Sequence, residues 1–216
     1  DPPEHTQFRR LISKGFTPRK AEDMTEDISS FVESAINRIK ELENCDIISE
    51  LFKPLPSFVV SKYLGVPASD RFVFDTWTEK IVAGAIHNEE NEGIEAIYEV
   101  TNYFTELIEW RKKTPGDDLI SELIKMGEEK VSIMWILGLA FTMIAGGNDT
   151  TTGLLGGSVV LLSENPDQRK LLLEDLSLLP DAIEELLRMT SPVQGLSRVI
   201  LEDFKLHDEK IPAGSR

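Results

Sequence analysis

The stretch from Val131 to Glu164 governs what this chain can become. It opens with the apolar run VSIMWILGLAFTM and closes with LLGGSVVLLSE. Between them lies a polar interruption, IAGGNDTTTG, Ile144–Gly153. Apolar residues sustained over more than thirty positions predict one long helix, about Ser132–Ser163. Such a helix measures roughly 50 Å, well beyond a hydrocarbon core of about 30 Å. Its first apolar block also stops at Gly146-Gly147-Asn148-Asp149, short of the ~20 residues a membrane span requires. A spanning helix is therefore not expected, and other helices must cover the run.

The interruption has its own physical reading. Residues four apart stack on one helix face, so Gly146 lies one turn before Thr150 and leaves the space beside its hydroxyl empty. That hydroxyl can reach back to the Gly146 carbonyl and loosen the local ladder, and Gly147 weakens the same turn. The expected result is a locally unwound turn forming a groove, with a hydroxyl at its edge. Asp149 stands about 100° further round the axis. An acid and an alcohol in an apolar groove can position a small polar molecule and relay protons. The other reading is a packing point where small residues admit a neighbouring helix. Local physics leaves both open.

The rest of the chain is read as mainly α. Helices are expected at about Pro2–Lys14, Pro18–Leu42, Pro56–Leu64, Ser69–Ala85, Glu92–Lys113 and Asp117–Met126, then after Pro166 to Leu173 and from Pro180 to Met189. Asp1 reads as an N-cap, Pro2 as a first helical residue and Glu4 as a capping-box partner. After Pro192 the pattern SRVILEDFKLHDEKIP predicts short strands. A start at a helix cap without Met, and a stop within a turn-to-strand signal, suggest an internal piece of a larger single domain, 1–216 being incomplete at both ends.

With 38 carboxylates against 23 Lys and Arg, the net charge of −15 repels phosphate backbones and anionic lipid, so neither nucleic acid nor membrane is an expected partner. A lone cysteine, Cys45, excludes an internal disulfide framework and suits a cytoplasmic compartment. His5, His87 and His207 are scattered, with no second cysteine to complete a metal cluster. Against this acidity the first twenty residues form a basic island, with Arg9, Arg10, Lys14, Arg19 and Lys20.

Several of these stretches meet in one family. GGNDTT, Gly146–Thr151, resembles the distal-helix motif of the cytochrome P-450 haem–thiolate monooxygenases. EELLR supplies Glu185 and Arg188, similar to the family's Glu-x-x-Arg pair, at the expected distance downstream. DPPEHTQFRRLISKGFTPR resembles the helix that runs beneath the haem, and SPVQGLSR the stretch leading to a propionate-binding Arg. YLGVP and PGDDLIS resemble connections of the bacterial soluble branch. The resemblance covers essentially the whole chain.

It implies the cytochrome P-450 fold, haem b as cofactor, O2 as co-substrate and hydroxylation of a hydrophobic organic molecule. Thr150 would hydrogen-bond the dioxygen unit and its water, and Asp149 would connect that site to bulk protons. Ala145, Gly146 and Gly147 would lie against the haem and leave the oxygen its room. His5, Arg9 and Arg198 would contact the propionates. Glu185 and Arg188 would be structural, and Thr142, Ala145, Val193 and Leu196 would line the substrate pocket. Phe72–Ile86 and the helix from Glu92 would form a mobile roof. Electrons from NAD(P)H would arrive through a ferredoxin or flavodoxin docked at Arg10 and Lys14. The departure is the haem ligand: the family's Cys in a Phe-x-x-Gly loop has no counterpart here, and Cys45 in LENCD falls in the wrong place. As given, the chain would lack the thiolate and be inactive, or it would be a degenerate, non-catalytic helical relative. A magnesium-dependent terpene cyclase, suggested faintly by DDLISE and NDTTTGLLG, fails because Gly156 cannot ligate a metal.

Overall fold

The computed structural model describes residues 3–86 and 90–216, without the side chains of Lys14, Val82, Ala85, Ile86 and Glu90. Asp1, Pro2 and His87 therefore lie outside the described residues. Among the described residues, ten α-helices and one small hairpin follow in order: α1 Glu4–Ile12, α2 Pro18–Glu22, α3 Thr25–Lys40, α4 Pro54–Leu64, α5 Val73–Ile86, α6 Glu90–Lys113, α7 Leu119–Lys125, α8 Ile133–Glu164, α9 Pro166–Glu174, α10 Leu179–Thr190, β1 Phe204–Leu206 and β2 Glu209–Ile211. The mainly α expectation holds, and the strands pair antiparallel with Phe204 opposite Ile211.

Most helix limits follow local chemistry. Ser132 caps α8 by accepting from the Trp135 N–H, and Asp118 caps α7 by accepting from the Ser121 N–H. Some boundaries differ from expectation: the helix anticipated from Ser69 starts only at Val73, after a 3₁₀ turn at Ala68–Asp70. The helix anticipated over 18–42 is broken at Asp23-Met24, where Met24 turns into the core at 8% exposure while α2 stays at the surface. The helix anticipated from Pro56 starts at Pro54 instead. Both prolines sit in its first turn, where backbone N–H groups have no intrahelical acceptor and their loss costs little. A π-helical turn, Ile48–Phe52, leads into it.

The core is built around α8. Its buried residues Ile136, Leu139, Ala140, Ile144 and Asn148 form one stripe, against which α4, α5 and α6 pack, while α10 meets α8 further along. Val60, Leu64, Phe74, Trp77, Phe104 and Ile108 fill the space between them. A second cluster joins Ala35, Leu51 and Phe52 to Leu155 of α8. Each large apolar side chain removed from water here contributes about 1.5–3 kcal/mol.

One ion pair joins three connections. Asp118 is nearly buried, and its Oδ2 lies 2.9 Å from Arg111 Nε, off the line of a good hydrogen bond. Arg111 also donates to the Gly65 carbonyl at 2.8 Å. Gly65 has a φ of 73°, and a Cβ there would meet the Asp118 carboxyl at 2.3 Å. Glycine is thus required on conformational and steric grounds alike. Asp118→Ala should lower the unfolding free energy by about 3–5 kcal/mol, because Arg111 would stay buried without its counter-ion. Adding Arg111→Ala should cost less than the sum of the two single changes, measured by urea unfolding.

Candidate functional site

The face of α8 opposite its buried stripe carries the polar interruption. Gly138, Thr142, Gly146 and Thr150 follow one another at intervals of four residues along this exposed side, with Thr150 half-buried. The Thr150 hydroxyl donates to the Gly146 carbonyl at 2.7 Å, as the sequence predicted. Thr142 repeats the device eight residues earlier, donating to Gly138 O at 2.7 Å. A Cβ at Gly138 or Gly146 would meet nothing within 4 Å, so the space beside both hydroxyls is open.

The expected unwinding does not occur. α8 is helical without a break from Ile133 to Glu164. A carbonyl oxygen has two lone pairs, so Gly146 O can accept from Thr150 and keep its place in the ladder. The groove comes from missing side chains, not from a widened turn. Gly147 faces the other way, where a Cβ would lie 3.0 Å from Val60 of α4. It is a packing glycine rather than part of the open wall.

Beyond Thr150 an open groove of ≈ 370 Å³ is lined by Thr150, Thr151, Leu154, Leu187, Ser191, Pro192 and Val193. The turn after α10 thus meets α8 at the predicted hydroxyl. Val193 lines this groove with Thr150, whereas Leu196 is 79% exposed and is not among the lining residues. Leu154, Leu187 and Ser191 were not anticipated. Ala145 is half-buried beside the open stripe.

The expected cationic groups come from separate elements of the chain. On α1, His5 and Arg9 stand one turn apart beside Phe8, whose ring tilts against Trp135 of α8 at 5.1 Å. Both are exposed, as is Arg10. Arg198 donates to the neighbouring Ser197 carbonyl at 3.1 Å. Among the described residues, neither Arg9 nor Arg198 forms an ion pair, in a chain rich in carboxylates. Lys20 of the basic island is engaged with Glu122 at 2.9 Å. The side chain of Lys14 lies outside the described residues. Glu185 and Arg188 form a bidentate fork, Nε–Oε2 and Nη2–Oε1 both 2.7 Å, exposed on α10. Cys45 is exposed in the turn after α3, away from the groove.

Asp149 was predicted, but its surroundings were not. It is exposed on the helix surface, yet protein crowds its carboxyl enough that desolvation pushes its pKa upward. Lys53 pulls it back, while Glu79 and Asp75 push it further up. On its inner side Asn148 is buried, and its amide donates to Thr78 Oγ1 of α5 at 2.9 Å. These partners come from α5 and from Lys53 just before α4, and carry no sequence motif.

The arrangement fits a flat apolar macrocycle with charged edges. It offers one wall of small residues with hydroxyls folded back upon it, and the helix that bears the unpaired Arg9 packs at the start of α8. A continuous helix carries the acid–alcohol pair on this wall and packs on the helix that holds Glu185 and Arg188. The chain belongs to the cytochrome P-450 family, whose sequence profile matches residues 1–216. It is 48% identical over 221 residues to cytochrome P-450 130 of Mycobacterium tuberculosis, an alignment covering 100% of this chain and 55% of that protein. The vitamin D(3) 25-hydroxylase of Pseudonocardia autotrophica is 33% identical, with 99% of this chain and 53% of that protein aligned. Among solved structures, CYP109E1 from Bacillus megaterium in complex with testosterone superposes with a TM-score of 0.91 at 35% identity, over 99% of this chain and 58% of that one. P450BioI in complex with an acyl carrier protein ligated to hexadec-9Z-enoic acid gives 0.91 at 32% identity, over 99% and 56%. The chain spans about half the length of the curated relatives it matches.

The Asp149 environment gives a direct test. In a protein labelled with 13C at aspartate carboxyls, Asp149 should titrate above the ordinary carboxylate range, and Lys53→Met should raise its midpoint further. Glu79→Gln should lower it. NMR pH titration reads all three.

Proposed function

We propose that the full-length protein is a haem-dependent monooxygenase that uses O2 to hydroxylate a hydrophobic organic substrate. The observation that carries this reading is the pairing of Thr150, bonded to Gly146 O on an open helix face, with a partly desolvated acid one residue away. Hydroxylases among the relatives support it, including 6-deoxyerythronolide B hydroxylase of Saccharopolyspora erythraea at 32% identity.

Haem b, when bound, supplies the iron that binds and activates O2. The chain's own residues supply the setting. Gly146 and Ala145 let a flat ring approach the helix. Thr150 presents its hydroxyl to the oxygen side and orders a proton-donating water. Asp149 passes protons from solvent to that hydroxyl. Crowding by protein raises its carboxyl pKa from the ordinary value, the direction that favours proton donation. Arg9 and Arg198 suit the propionates as free cationic forks, with His5 beside them. The thiolate ligand comes from the part of the full-length protein beyond these residues, since Cys45 stands away from the wall. The apolar lining by Leu154, Leu187 and Val193 favours a hydrophobic substrate, with Thr142 and Leu196 as further pocket residues. Electrons from NAD(P)H reach the haem through an acidic ferredoxin or flavodoxin that meets Arg10 and Lys14 in the cytoplasm.

A soret band shifted to the red when the reduced protein binds carbon monoxide tests the haem–thiolate assignment; its absence in the full-length protein refutes it. Thr150→Ala should keep NAD(P)H consumption while diverting most of it to hydrogen peroxide. Asp149→Asn should slow product formation by about 10²-fold, the lower range for losing a positioned proton donor. Product analysis against NAD(P)H consumed measures both. Arg10→Glu should slow reduction by the donor protein and weaken its salt dependence, read by stopped flow at varied ionic strength.

A further inference from the structure

Two non-glycine residues among those described have a positive φ. His207, with φ 54°, sits in the two-residue loop of the β1–β2 hairpin, where left-handed backbone belongs to the turn. Ser191 has no such setting. With φ 41° and ψ 64° it closes α10 and directly precedes Pro192. Helices do end on a left-handed residue, but that residue is usually glycine, and a proline ring pushes the residue before it toward extended backbone. Ser191 thus holds a conformation opposed both by its own Cβ and by its neighbour. The packing on either side keeps it there. A Cβ at Gly157 of α8 would come 2.5 Å from Thr190, and one at Gly153 would stand 3.6 Å from Pro192. The missing side chains let α8 close on the two residues that flank Ser191. Strain of this kind persists only where its surroundings over-determine it, and it collects at binding and reaction sites.

Ser191 lines the groove of ≈ 370 Å³ that also holds Thr150. Its hydrogen bonds leave one capacity over. The Ser191 N–H donates to Leu187 O at 2.9 Å, and its hydroxyl donates to Arg188 O at 2.9 Å. With the single hydroxyl proton spent, Oγ has only lone pairs to offer the groove. On the α8 side the lining is Thr150, Thr151 and Leu154; the rest is Leu187, Ser191, Pro192 and Val193. Within that second set Ser191 carries the one polar side chain, an acceptor among apolar groups. A glycine would suit the backbone better but would bring no oxygen. An acceptor so placed favours a ligand that donates over one that can only accept.

We propose that Ser191 is a specificity-determining residue: its hydroxyl oxygen accepts a hydrogen bond from an O–H or N–H group on an otherwise apolar substrate. The left-handed turn before Pro192 holds that oxygen at the groove, and the bond to Arg188 O fixes the hydroxyl as an acceptor. The substrate class is therefore a hydrophobic molecule with a hydrogen-bond donor, an alcohol or an amide, rather than a bare hydrocarbon. This inference rests on the monooxygenase reading and names the kind of molecule that site takes.

The test uses the full-length haem-loaded protein with Ser191→Ala and Ser191→Gly. The probes are dodecanol, which can donate, and dodecyl methyl ether, which can only accept. Equilibrium dialysis gives the dissociation constant of each, and the ratio of the two cancels their shared apolar burial. That ratio should shift against the alcohol by about fivefold in both variants, the size expected for one neutral hydrogen bond. Ser191→Gly should also raise the unfolding temperature, because it releases the backbone strain. This variant carries the test if Ser191→Ala fails to fold, and a lowered unfolding temperature overturns the strained-turn premise. A residue that merely ends the helix would give the same thermal gain with the ratio unmoved. An unmoved ratio, or a parent that does not bind the alcohol, overturns the role of Ser191 alone when the reduced carbon monoxide band is still shifted to the red. Absence of that band in the parent overturns the monooxygenase reading, and the substrate class with it.

Discussion

A 32-residue helix that is apolar along most of its length must be covered, and shorter helices can cover only part of it. α4, α5 and α6 close over the stripe from Ile136 to Asn148, and α10 meets the helix further along. The side bearing Gly138, Thr142, Gly146 and Thr150 stays open. The site is thus the uncovered remainder of the core, and its small residues keep it flat. Folding of the core and shaping of the site are one event, because the buried stripe fixes which way the open stripe faces.

Polar groups inside this packing act as joints. Asp118 and Arg111 fasten the end of α4 to the end of α6 and the start of α7, with Gly65 shaped to admit them. Asn148 with Thr78, and Thr152 with Phe52, fasten α8 to α5 and to the start of α4. Buried polar groups are tolerable only when paired, and pairing fixes register more strictly than apolar contact does. Here that strictness falls beside Asp149, where small shifts of charge change how a proton is held.

The charge distribution divides the same way. The chain as a whole is strongly acidic, yet α1 presents Arg9 and Arg10 to solvent. Lys20 is drawn into a tie with Glu122 instead, so the basic island is smaller in space than in sequence. Exposed Glu185 and Arg188 already hold each other in a fork with no help from neighbours. Local spacing suffices for that pair, as it does for Thr150 and Gly146.

What the sequence determined by itself was whatever depends on residues within a turn or two of one another. The long helix, the hydroxyl reaching Gly146, the Glu185–Arg188 fork, the hairpin and most helix limits are of this kind. The break at Met24 escaped it, since only a core to plug makes that bend worthwhile. So did the intact ladder at Gly146, because a spare lone pair is invisible in a spacing rule. The tertiary structure alone decided that Gly147 packs on Val60, that Ser191 and Leu187 face Thr150, and that Lys53, Asp75 and Glu79 gather at Asp149. Those residues are separated by tens of positions and share no periodicity. Only the burial of α8 against α4 and α5, and the need to pair the polar groups trapped between them, brings them together.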